Sequence, residues 1–244
     1  MDKINNIFSE KNKCITFYLM ADYPDRKGFF RSLDILVKNG MDILELGIPV
    51  KNPHLDGKTI SYAHNKVLEN GFSEEILLEL LKEIKEKYPS LPLVIMTYNQ
   101  GIKEYDLISK GEYYDAILCP DEYLTRKNNN VNLIQIYNEE MDEKTISSRI
   151  SNNQGFAYVV TGLGTTGGKG ELPDKYLSTM KKIRELSFIP IQIGFGIYSD
   201  EQVETVLNNG ADGVIIGSEI IRKINEGNEE NLIRYVQSIV KARG

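Results

Sequence analysis

Eight short apolar runs recur along the chain, most of them followed by a stretch of helical periodicity, and this alternation constrains the fold more than any other feature. The runs are Ile15 to Met20, Asp42 to Leu46, Leu93 to Tyr98, Ala116 to Cys119, Asn132 to Tyr137, Ala157 to Val160, Pro190 to Gly194 and Gly213 to Gly217. Most are continuously apolar, as parallel strands covered by helices should be. Helical patterns between them close at Gly40, Gly71 and Gly210, glycines placed to take the left-handed conformation after a last turn. Another opens at Ser73 with N-cap chemistry and ends in lysines that suit the helix dipole. Eight βα units in 244 residues, with no Gly/Ser-rich linker, predict one α/β domain over 1-244, a (β/α)8 TIM barrel. A doubly wound sheet is the rival, one miscounted strand away. The segments after Tyr98 and after Asp121 hold too few residues for full helices, so shortened third and fourth helices are expected.

The net charge is −6 and the lysines are interspersed with glutamates, which leaves no electrostatic footprint for nucleic acid. No apolar run is long enough to span a bilayer and the first residues are too polar for a signal peptide, so a cytoplasmic protein is expected. Cys14 and Cys119 sit in apolar surroundings as core thiols. His54 and His64 lack partners at metal-ligand spacing, and no metal site is expected.

The stretch Asp42 to Gly57 holds the unusual residues. Glu45 stands between Leu44 and Leu46 inside the second run, and Asp56 lies in the loop behind it, broken by Pro49 and Pro53. Barrel active sites lie at the C-terminal ends of the strands, so both carboxylates would face the mouth. Burial raises a carboxyl pKa toward neutrality, which suits acid/base work. Three glycine-rich segments follow the last three runs: Val160 to Pro173, Gly194 to Ser199 and Gly217 to Ile221. Backbone N–H groups freed there, with a short helix starting at Ser218, form an anion cradle for a substrate phosphate. The spacing fits neither Walker A, because Leu163 stands where its first glycine belongs, nor the dinucleotide fingerprint, because Ser199 replaces its third. Tyr18, Tyr158 and Phe195 could line an apolar slot beside the cradle, and the glycines on both sides of Phe195 suggest that it faces a ligand.

Taken together, ELGIP with P-x-x-DG (Glu45 to Pro49, Pro53 to Gly57), IMTY (Ile95 to Tyr98), GTTG (Gly164 to Gly167), GFGI (Gly194 to Ile197) and ADGVIIGS (Ala211 to Ser218) make the chain resemble the α subunit of tryptophan synthase over nearly its full length. The resemblance implies retro-aldol cleavage of indole-3-glycerol phosphate to indole and glyceraldehyde 3-phosphate, without metal or Schiff base. Glu45 would be the acid/base, and Asp56 would hold the indole N–H. Gly167, Gly196, Gly217 and Ser218 would carry the phosphate, Thr166 would sit on a closing loop, and Tyr18, Tyr98, Tyr158 and Phe195 would complete the substrate site. The resemblance also implies a β partner in an α2β2 heterotetramer. Pyridoxal phosphate would belong to that partner, with no cofactor in this chain.

The sequence departs from the family pattern at Asp22-Tyr23-Pro24, where a glycine usually opens the turn, at Lys51-Asn52-Pro53, at Asn99-Gln100-Gly101 and at Pro120 to Tyr123. These changes fall on or near the partner-facing surface and leave Glu45 and Asp56 in place. Two other functions therefore stay open: an allosteric subunit that activates its partner with little turnover of its own, and a stand-alone indole-releasing lyase. A lysine-based aldolase fits less well, because no lysine stands on a candidate strand as Glu45 does.

Overall fold

A computed structural model, which describes residues 3–11, 13–125, 131–162 and 172–244, forms the expected closed barrel. Its parallel strands are β1 (Cys14–Met20), β2 (Ile43–Gly47), β3 (Leu93–Met96), β4 (Ala116–Leu118), β5 (Leu133–Tyr137), β6 (Ala157–Val160), β7 (Ile191–Gly194) and β8 (Gly213–Ile216). They pair in chain order, and β8 closes on β1. The helices of the described residues are α1 (Lys3–Glu10), α2 (Arg26–Lys38), α3 (Lys58–Glu69), α4 (Glu74–Lys87), α5 (Asn99–Glu104), α6 (Glu143–Ile150), α7 (Lys175–Leu186), α8 (Asp200–Asn208), α9 (Ser218–Asn225) and α10 (Glu229–Lys241). Gly40, Gly71 and Gly210 end α2, α3 and α8 with φ of 100°, 84° and 94°, and Ser73 caps α4 by accepting the Ile76 N–H at 3.3 Å.

The period-2 alternation of the strands decides what enters the barrel. Phe17 and Leu19 of β1 pack outward with Leu44 and Leu46 of β2 in the layer beneath the helices. Tyr18 and Met20 therefore point inward, and the register sets Glu45 opposite Tyr18 and Gly47 opposite Met20. A glutamate between two leucines is thus a core-facing residue whose neighbours in sequence serve a different core.

The interior is filled by Tyr18, Ile43, Val94, Met96, Leu118, Ile134, Tyr158 and Ile215, and it is floored by Ile4 of α1 and by Phe156. The rings of Phe8 and Phe156 lie 5.9 Å apart. The polarity of residues 1–13 hides α1 in the sequence, since only Ile4, Ile7 and Phe8 give it an apolar side. Beside this floor the fully buried side chain of Asp42 accepts the Ile15 N–H at 2.8 Å and pairs with both Lys11 and Arg243, the latter at 2.6 Å.

The third barrel helix is short, as expected: α5 has 6 residues and is followed by a 3-10 turn, Leu107–Lys110. Between β4 and β5 the described residues form no helix. The connection is instead held by Tyr123 Oη, which donates to the Ser148 carbonyl at 2.9 Å, and by the Leu124 carbonyl, which accepts Gln135 Nε2 at 3.0 Å.

Candidate active site

Glu45 lies inside the barrel at 3% exposure, and its Oε1 has no hydrogen-bond partner among the described residues. Burial, with Asp56 as the second cause, pushes its carboxyl up to about 8, so the group is an acid at neutral pH.

Asp56 reaches the same cleft from the loop between β2 and α3. The loop turns on itself where the Asp56 N–H donates to the Pro53 carbonyl at 3.0 Å. Tyr98 Oη donates to Asp56 Oδ2 at 2.9 Å and accepts the Leu55 N–H at 3.1 Å, tying the loop to the end of β3. His64 Nε2 faces the same carboxylate oxygen at 3.4 Å. One carboxyl group is therefore solvated by almost nothing and the other by neighbouring donors, an asymmetry suited to separate roles in proton chemistry.

The cleft is lined by both carboxyl groups and by Tyr18, Tyr158, Phe195, Gly196, Gly217 and Ser218. Tyr18 and Tyr158 owe their poses to glycines on the adjacent strands: a Cβ on Gly47 would lie 2.0 Å from Tyr18 Oη, and one on Gly194 would lie 2.3 Å from Tyr158 Oη. Burial, reinforced by the nearby carboxylates, raises both phenols well above their ordinary range and keeps them neutral. Phe195 adopts φ of 67° and its carbonyl accepts Thr161 Oγ1 at 2.6 Å, which holds its ring edge-on to Tyr158 at 5.9 Å and 83°.

At the end of β8, beside Tyr18, Gly217 caps α9 with no side-chain hydrogen bond. The first amides of that helix are therefore open to an anion at the positive end of its dipole. Gly167, expected to share this task, and Thr166, expected on a closing loop, lie outside the described residues.

Of the other expected residues, Tyr98 does not line the cleft and reaches it through Asp56. Ile60, Met96, Tyr198, Ile215, Glu219 and Arg222 line it without having been singled out. The aliphatic ones look like any core residue in sequence. Glu219 and Arg222 could have been found from their i,i+3 spacing behind Gly217 and Ser218, and they form an ion pair at the wall. Among the described residues no group of three or more His, Cys, Asp or Glu could hold a metal ion, and no helix is long and apolar enough to cross a membrane.

The family model described as tryptophan synthase alpha chain matches residues 4–243. The tryptophan synthase alpha chain of Staphylococcus carnosus is 32% identical over 240 residues, covering 92% of this chain and 93% of that one. The one from Aquifex aeolicus is 29% identical over 252 residues, covering 98% and 96%. Among solved structures, a mutant tryptophan synthase alpha-subunit from the hyperthermophile Pyrococcus furiosus superposes with a TM-score of 0.82 at 26% identity, covering 95% of this chain and 99% of that one.

Proposed function

The chain belongs to the tryptophan synthase alpha chain family, and from that membership we propose how a buried glutamate and a loop aspartate divide one reaction between them. The reaction is the retro-aldol cleavage of indole-3-glycerol phosphate to indole and glyceraldehyde 3-phosphate in tryptophan biosynthesis, and the chain is a lyase. The observation that carries the division of roles is the burial of Glu45, with Oε1 unpartnered among the described residues, in a cleft it shares with Asp56.

Breaking the bond between the indole ring and the glycerol side chain requires the ring to take up an electron pair. Glu45, as the acid, gives its proton to the ring carbon that bears the side chain, and positive charge develops at the ring nitrogen. Asp56 accepts the ring N–H and balances that charge at short range, where a low-dielectric cleft makes the interaction strong. The Glu45 carboxylate then takes the proton of the side-chain hydroxyl as the carbon–carbon bond breaks. Its electrons return to the ring, the aldehyde forms, and Glu45 is again an acid.

Phosphate on the amides at Gly196, Gly217 and Ser218, with Gly167 as the family resemblance implies, would fix the substrate at one end. Tyr18, Tyr158 and Phe195 border the indole at the other. The fixed distance between the two ends then supplies orientation.

The partner in this reading is a tryptophan synthase β subunit in an α2β2 assembly, with pyridoxal phosphate held by the β chain. Leu55, at 36% exposure, follows the altered Lys51-Asn52-Pro53 segment as an apolar element of that surface. The test is indole release from indole-3-glycerol phosphate by the purified chain, alone and with the β subunit of the same source. Slow release that rises steeply with β supports the reading. Release that β leaves unchanged would assign a stand-alone lyase, and no release with β activity still raised would assign a regulator.

A further inference from the structure

His64, one of only 2 histidines in the chain, is buried at 3% exposure on α3 and lies at the centre of the loop that carries Asp56. The Val50 N–H donates to its Nδ1 at 2.9 Å. A ring nitrogen that accepts cannot also carry the proton, so the neutral imidazole holds its hydrogen on Nε2. That nitrogen is 3.4 Å from Asp56 Oδ2, the oxygen that Tyr98 Oη also approaches at 2.9 Å. Among the described residues, no donor is placed on Oδ1.

We propose that His64 is a positioning residue for Asp56: with Tyr98 it fixes Oδ2, leaves Oδ1 to accept the ring N–H of the substrate, and ties that carboxylate to the backbone at Val50. The proposal rests on the assignment of Asp56 above. One rigid side chain thereby spans the loop from residue 50 to residue 56, so the carboxylate loses little further freedom when substrate arrives. The titratable groups facing His64 are Asp56 directly and Tyr98, whose ring centroid is 6.3 Å away. Beyond them lie His54, tilted at 52° to the Tyr98 ring with centroids 5.2 Å apart, and Tyr18 and Glu45, which share the cleft with Asp56.

The two contacts of His64 can be separated. In His64→Asn the amide oxygen falls near Nδ1 and can keep the Val50 bond, while the donor to Asp56 is lost. In His64→Gln the amide nitrogen falls near Nε2 and keeps that donor. For the full chain, KM for indole-3-glycerol phosphate is expected to rise about tenfold in His64→Asn, the size of one hydrogen bond to a charged group, and to rise less in His64→Gln. Inhibition by glycerol 3-phosphate, which probes only the phosphate end, stays unchanged. Adding His64→Asn to Asp56→Asn costs nothing further, because the histidine acts through the aspartate.

Wild-type KM in His64→Asn together with an impaired Asp56→Asn overturns the role of His64 alone. Losses that multiply in the double variant also overturn it. A wild-type KM in Asp56→Asn overturns the assignment of Asp56, and the proposal with it. If His64→Asn melts at assay temperature, His64→Gln decides instead: a KM raised tenfold there, with the donor retained, refutes the proposal.

Discussion

Tyr18 Oη lies where position 47 leaves no room for a side chain, 2.0 Å from the site of a Cβ on Gly47. The arrangement recurs at Tyr158 and Gly194, at 2.3 Å, and in both cases the glycine stands two residues beyond the register partner of the tyrosine. The width of the cleft is therefore written into the backbone. Gly47→Ala forces the Tyr18 ring into the space beside Glu45, and it should lower kcat/KM at least tenfold at a stability cost of about 1–3 kcal/mol, typical of overpacking. Indole release and thermal melting measure the two effects, and unchanged kinetics would show that the ring has another pose available.

Glu45→Gln removes the proton that the mechanism moves twice. Turnover should fall by on the order of a hundredfold or more, while glycerol 3-phosphate still binds. In the wild type, kcat/KM should decline as pH rises through about 8, where Glu45 ceases to be an acid. A pH profile without that limb would remove Glu45 from the first proton transfer.

The same residue couples stability to pH. Its folded-state value of about 8 lies above the ordinary glutamate value of 4.5, so between these limits the folded chain binds a proton that the unfolded chain has released. Stability contributed by Glu45 is present in full below about 4.5 and is lost as pH rises through about 8. Glu45→Gln, neutral throughout, should raise Tm relative to wild type at pH 8.5 and give little or no gain at pH 4.5. Equal differences at both pH values would mean that the carboxyl ionises normally in the fold.

Gly217→Val tests the phosphate cradle. A Cβ at this position would meet Tyr18 Cβ at 3.4 Å, so the backbone tolerates a side chain, but valine's branches crowd the first amides of α9. Glycerol 3-phosphate should bind at least tenfold more weakly, with Tm lowered only slightly. Equal affinity, measured by calorimetry, would show that the anion sits elsewhere.

Much of the architecture was legible because apolar runs, helix-stopping glycines and the Ser73 cap are local signals, and local signals agree here with the global fold. Glu45 could be found because its flanking leucines break the pattern of an ordinary solvent-facing glutamate. His64 could not, because its partners, Val50 and Asp56, are brought to it by a loop whose path no periodicity describes. Asp22 shows a third case. It occupies the left-handed region at φ of 61°, where a departure from the usual glycine reads in sequence as damage to the turn. The structure accommodates it, with Arg26 bound to its carboxylate and reaching on to the Ile76 carbonyl at 3.1 Å. An aspartate tolerates that conformation better than most residues.

The seam between β1 and β8, with the pairing of Arg243 to the buried Asp42, joins segments from opposite ends of the sequence. Neighbouring strands such as β1 and β2 are joined by a single connection through one helix, whereas this seam carries the largest loop-closure entropy in the ring. During synthesis the outer edge of β1 has no partner until residues 213–216 have been made, and Asp42 has no Arg243 until residue 243 has been made. The order of translation thus leaves the barrel as an open, pairing-competent sheet for almost all of its assembly.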